Sequence, residues 1–78
     1  MSKSRLLKQY TGVLNSGSPE AILNNLPKIE AYASSPLLNA NMRDEMNSAI
    51  RSALEKDYGK DGLELLEHLT RISKMFSK

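Results

Sequence analysis

His68 is the only imidazole in the chain, with Glu64 four residues before it and Glu67 beside it. On a helix, residues four apart share a face, so Glu64 and His68 could act as an acid–base pair or as half of a metal site. Neither chemistry has the rest of what it needs. A zinc site draws three or four ligands from Cys, His and carboxylates, and this chain has no cysteine and no second histidine. A general base needs a cleft and an oriented nucleophile, and nothing in the spacing puts Ser52, Thr70 or Ser73 in that role. The expectation is a histidine at the boundary of a helix, no catalytic residue, no metal site, no cofactor and no enzyme activity.

Asp57-Tyr58-Gly59-Lys60-Asp61-Gly62 invites a calcium-loop reading. Such a loop wants an oxygen ligand at its third position and a bidentate glutamate at its twelfth. Counted from Asp57 those positions are Gly59 and His68. The segment is therefore expected to be a glycine-bearing turn with Asp61 as a helix N-cap.

The cations are more informative. The net charge is only +2, but Lys3, Arg5 and Lys8 stand at one end of the chain, and Arg71, Lys74 and Lys78 at the other, with no acid in either stretch. All nine acids lie between them, against five bases. Cations near a helix C-terminus suit the helix dipole, whereas cations in a first turn oppose it. Lys3, Arg5 and Lys8 are thus placed where local physics mildly disfavours them, which hints at an external anion, while a merely solvated charged end is the plainer reading. Tyr10 and Phe76 are the only aromatics near these bases and both read as core, so stacking of nucleic-acid bases is not expected. Leu37 and Leu38 lie in a segment broken by serine and proline on one side and asparagine on the other. They either plug an end of the molecule or offer an apolar docking point.

These side chains need elements to position them. Leu65, Leu66, Leu69, Ile72, Met75 and Phe76 recur at three- and four-residue steps and predict an amphipathic helix over 61–76. Asp61 and Glu64 have the spacing of a capping box at its start. Leu6, Leu7, Tyr10, Val13 and Leu14 predict a first helix from about Lys3 to Leu14, stopped at Asn15-Ser16-Gly17. Ser18-Pro19-Glu20 opens a second: serine caps, proline fits the first turn and the acid meets the positive end of the dipole. Its stripe, Ile22, Leu26, Ile29 and Ala33, passes through Pro27, so this is one helix kinked at Pro27 or two short helices meeting there, with the unbroken stripe favouring one.

Pro36-Leu37-Leu38 reads as a single turn before Asn39 or Asn41 caps a third helix with Met42, Met46, Ala49, Ile50, Ala53 and Leu54 inward. Small Ala49 and Ala53 should let a neighbour approach closely, and Gly59 should end that helix. Arg43, Arg51 and Lys56 on it are offset by Asp44, Glu45, Glu55 and Asp57, which argues against a DNA-recognition helix. No stretch alternates as a strand would.

The fold class expected is all-α, a compact antiparallel four-helix bundle in one domain over 1–78, running up-down-up-down. That topology would bring Lys3, Arg5, Lys8, Arg71, Lys74 and Lys78 to one basic pole, and Glu20, Asp57, Asp61 and Glu64 to the other. A chain of 78 residues hides only about 60% of its unfolded surface, so a partner would add to a thin margin. No apolar run is long enough for a membrane span and the N-terminus lacks a signal-peptide core, so a cytoplasmic location is expected. The function expected is docking onto a partner protein, as a small inhibitor, adaptor, immunity-type or phage- or plasmid-encoded accessory factor. The binding residues would be Lys3, Arg5, Lys8, Leu37, Leu38, Arg71, Lys74 and Lys78. A nucleic-acid-associated regulator using the basic pole is the alternative, and a homo-oligomer is a third option.

Overall fold

The computed structural model describes residues 3–77 and contains four α-helices: α1 (Lys3–Asn15), α2 (Pro19–Ala33), α3 (Ala40–Leu54) and α4 (Gly62–Phe76). Each begins and ends for local reasons. Gly17, at φ 76°, follows α1 in the left-handed region that other residues avoid. Ser18 caps α2, its hydroxyl accepting from the Ala21 N–H at 3.2 Å, with Pro19 in the first turn. Of the two candidate caps for α3 it is Asn39 that serves, its side-chain oxygen 2.8 Å from the Met42 nitrogen. The α2–α3 link makes the single turn expected, with the Leu38 N–H donating to Ser35 O.

α2 runs unbroken through Pro27, so the two-helix alternative does not hold. α3 is shorter than expected and ends at Leu54, not at Gly59. The Tyr58 hydroxyl folds back to donate to the Ala53 carbonyl at 2.7 Å, occupying an acceptor that a further helical turn would have used. Gly59, again at φ 76°, opens a 3-10 turn (Gly59–Asp61) that leads directly into α4. Its N–H donates to the Asp57 carboxylate at 2.9 Å, so Asp57 braces the turn. The Asp61 side chain, and with it the expected capping box, lies outside the described residues. Glu64 lies 3.7 Å from His68 instead.

The four apolar stripes meet in one core. Leu14, Ile22, Ile29, Met46, Ile50, Ala53, Leu65, Leu69 and Ile72 are completely buried. Consecutive helices are antiparallel, as expected. The order around the bundle is not the order along the chain but α1, α3, α4, α2. α1 packs most extensively on α3, and α4 packs on α3 and α2, while α1 and α4 form no comparable interface. Buried Ala49 and Ala53 on α3 explain the close α1–α3 approach, because small side chains let two backbones come together. Lys56 fastens that pair: its ammonium donates to the Asn15 carbonyl at 2.8 Å, where α1 ends. At the other end of the bundle Tyr10, Tyr32 and Phe76 form a row of tilted rings, centroids 5.1 and 6.2 Å apart, joining α1, α2 and α4. Among the described residues no helix is long and apolar enough to cross a membrane.

Candidate interaction surface

The basic residues are best traced from the helix directions. α1 starts, α2 ends, α3 starts and α4 ends at one end of the bundle. Among residues 3–8, 27–46 and 70–77, which make up that half, there are seven Lys or Arg against three Asp or Glu. Residues 9–26 and 47–69, the other half, hold three against six. The molecule is electrically bipolar by chain position. Of the cations nominated from the sequence, Arg5 and Lys8 stand on α1 and Arg71 and Lys74 on α4, two helices that share no comparable interface.

Lys8 and Arg5 are exposed on α1 and Lys74 is exposed on α4. Arg71 donates to the Glu30 carboxylate of α2 and to His68 Nδ1 at 3.2 Å. A guanidinium only donates, so Nδ1 accepts and the ring hydrogen sits on Nε2, facing Glu64. Arg71 and His68 are thereby tied into a surface chain Glu64–His68–Arg71–Glu30. At this exposure the ion pair contributes at most about 1 kcal/mol. The Lys3 side chain and all of Lys78 lie outside the described residues.

Leu37 and Leu38 part company. Leu38 turns inward and packs against the core, while Leu37 is 60% exposed. Both line a groove of about 410 Å³ at the basic end. Leu6 and Tyr10 of α1 form one wall, and Lys28, Ala31 and Tyr32 of α2 the other; Ser35 closes the floor of the loop. The loop is held by short bonds. Ser35 Oγ accepts from the Leu37 N–H at 3.2 Å, and the Ser35 N–H donates to the Tyr32 carbonyl at 3.1 Å. Among the described residues, Lys28 is the only charged side chain lining the groove. A second hollow of similar volume lies between α1 and α3, but its lining residues are mostly polar and include Asp44 and Glu45.

Lys28, Ala31 and Tyr32 were not singled out in the sequence. The signal was present: spaced i, i+3 and i+4, they share one face of α2 beside the core stripe. Tyr32 has a further peculiarity. Its hydroxyl is buried and has no hydrogen-bond partner among the described residues. Burial, then the neighbouring Tyr10 and Glu45, push its pKa above the ordinary tyrosine value of 10.0. Burial alone does the same at Tyr58.

An unsatisfied buried hydroxyl costs about 1–3 kcal/mol, so Tyr32→Phe is expected to raise stability by about 1 kcal/mol at neutral pH. The pH dependence has a definite sign. Below pH 10 both folded and unfolded chains hold the proton; above it the unfolded chain releases the proton first, so stability falls as pH rises past 10. Urea midpoints for wild type and Tyr32→Phe across that range check this. The variant should start higher and decline less steeply.

Fold and groove together define a small helical bundle with a largely apolar groove that carries Lys28 on one wall. No protein-family model, curated protein or solved structure matches the chain.

Proposed function

We propose that this chain is a non-enzymatic protein-binding factor, an inhibitor or adaptor, that docks onto a partner protein through the groove at its basic end. The observation that supports this reading is Leu37. A large apolar side chain held 60% exposed by a hydrogen-bonded loop, over a groove whose one lining charge among the described residues is Lys28, is a contact surface with a sign. The partner it fits presents apolar side chains flanked by carboxylates. A cytoplasmic setting is part of this reading, and a chain free of cysteine is compatible with it.

The test is affinity capture from source cells with wild type, Leu37→Asp and Lys28→Glu baits, followed by titration of the captured partner. Leu37→Asp should weaken binding about 30-fold, as a buried anchor of roughly 2 kcal/mol would. Lys28→Glu, at the rim, should weaken it a few-fold and mainly at low salt. Capture of nucleic acid alone, with affinity falling steeply as salt rises, would replace this reading with that of a nucleic-acid-associated regulator using the basic end.

A further inference from the structure

Among the described residues two large apolar side chains are exposed, and they stand at opposite poles. Leu37, 60% exposed, borders the groove at the basic end. Leu63, 74% exposed, is in the first turn of α4 at the acidic end. Leu63 and Phe76, which packs on the groove-lining Tyr32, are thirteen steps apart along α4, about 20 Å at 1.5 Å per residue. Leu63 is followed by Glu64 and Glu67, both exposed, with half-buried Leu66 one turn along. The chain therefore carries on its own surface the ligand its groove is built to take: an exposed leucine on a helix, flanked by carboxylates.

We infer that a second copy of this chain occupies the groove, its Leu63 seated between Leu6 and Leu37 and its Glu64 and Glu67 facing Lys28 and the cations of α1. The contact joins two different surfaces, head to tail. One face stays open at each end of a pair, and molecules add in succession unless the rotation closes a ring. The two poles of one molecule are farther apart than the Debye length of about 8 Å in physiological salt, so they act independently and each meets the opposite sign on a neighbour. The inference rests on the groove proposed above as the docking surface. It adds that self-association and partner binding exclude one another.

The test uses the purified protein alone, so it is separable from partner capture. Sedimentation equilibrium of wild type should show a weight-average mass rising above 8.7 kDa with concentration, toward roughly millimolar, as expected of a small interface. The mass should fall back in about 1 M salt, where screening is complete within about 3 Å. Leu37→Asp and Leu63→Asp should each be monomeric and, since both leucines are exposed, fully helical by circular dichroism. Mixed together, they should form a species of two chains and no more, because Leu37→Asp supplies an intact Leu63 and Leu63→Asp an intact groove. A wild type that stays monomeric at all concentrations overturns self-association and leaves partner docking standing. Association retained by either variant alone, or a mixture that stays monomeric, overturns the head-to-tail geometry.

Discussion

Phe76→Ala is expected to bring this protein to the edge of unfolding. The ring is 1% exposed and ends the row Tyr10–Tyr32–Phe76, which joins three of the four helices at the groove end. Truncating a buried phenylalanine costs about 3–5 kcal/mol, through lost transfer energy plus the cavity left behind. A domain of this length has only about 4–12 kcal/mol in total, at 0.05–0.15 kcal/mol per residue. Urea denaturation followed by circular dichroism reads the result. The midpoint should drop by several molar, or the folded baseline should vanish, since small domains lose about 1 kcal/mol per molar urea. Met75→Ala, next along the helix and only half-buried, should cost about 1 kcal/mol on the same scale. Equal, small shifts in the two variants would mean that the ring row does not tie the helices together.

The second large effect has the opposite sign. Pro27→Ala is expected to stabilise the protein by about 2 kcal/mol. Pro27 lies in the interior of α2, which continues through it to Ala33, and its ring is exposed. A proline there has no N–H for the Leu23 carbonyl and crowds the preceding turn, at a cost of about 3 kcal/mol relative to alanine. Exposure means that little packing is lost on replacement. The opposing term is entropy in the unfolded chain, which alanine loosens by about 0.4–1 kcal/mol. For a domain of this size the net gain should raise Tm by roughly 10 °C. A lower Tm would show that the proline ring supports the bundle in a way that its exposure conceals.

Much of the architecture could be read without a structure because it rests on local rules. Ser18 and Asn39 cap their helices with the N–H groups three residues on, an interaction contained within four residues of chain. Gly17 and Gly59 take the positive φ that only glycine accepts at no steric cost. The buried residues are, with the exceptions of Tyr32 and Gly62, those whose three- and four-residue spacing marked a stripe. Even the choice between one helix and two at Pro27 followed from the unbroken stripe, since burying Ile22, Leu26 and Ile29 on one face outweighs a single lost hydrogen bond.

What sequence order alone determined, then, was that there are four helices, where α2 and α3 begin, which face of each turns inward, and that consecutive helices run in opposite directions; the end of α3 it did not. Only the tertiary structure decided who lies beside whom. Lys56 belongs by sequence to the charges of the third helix, yet α3 stops short of it and its ammonium closes the end of α1, 41 residues away. Arg71 was grouped with the cations of α1, yet it pairs with Glu30 of α2 because α4 sits across from α1. Leu37 and Leu38 are neighbours of identical type, and one faces solvent while the other packs on the core. The physical reason is common to all three. Capping and periodicity are settled by bonds within a turn or two of helix, whereas the order of helices around a core is settled by how side-chain volumes interlock across surfaces that are distant in sequence. The groove, made jointly by α1, α2 and the loop after it, belongs to that second kind of information.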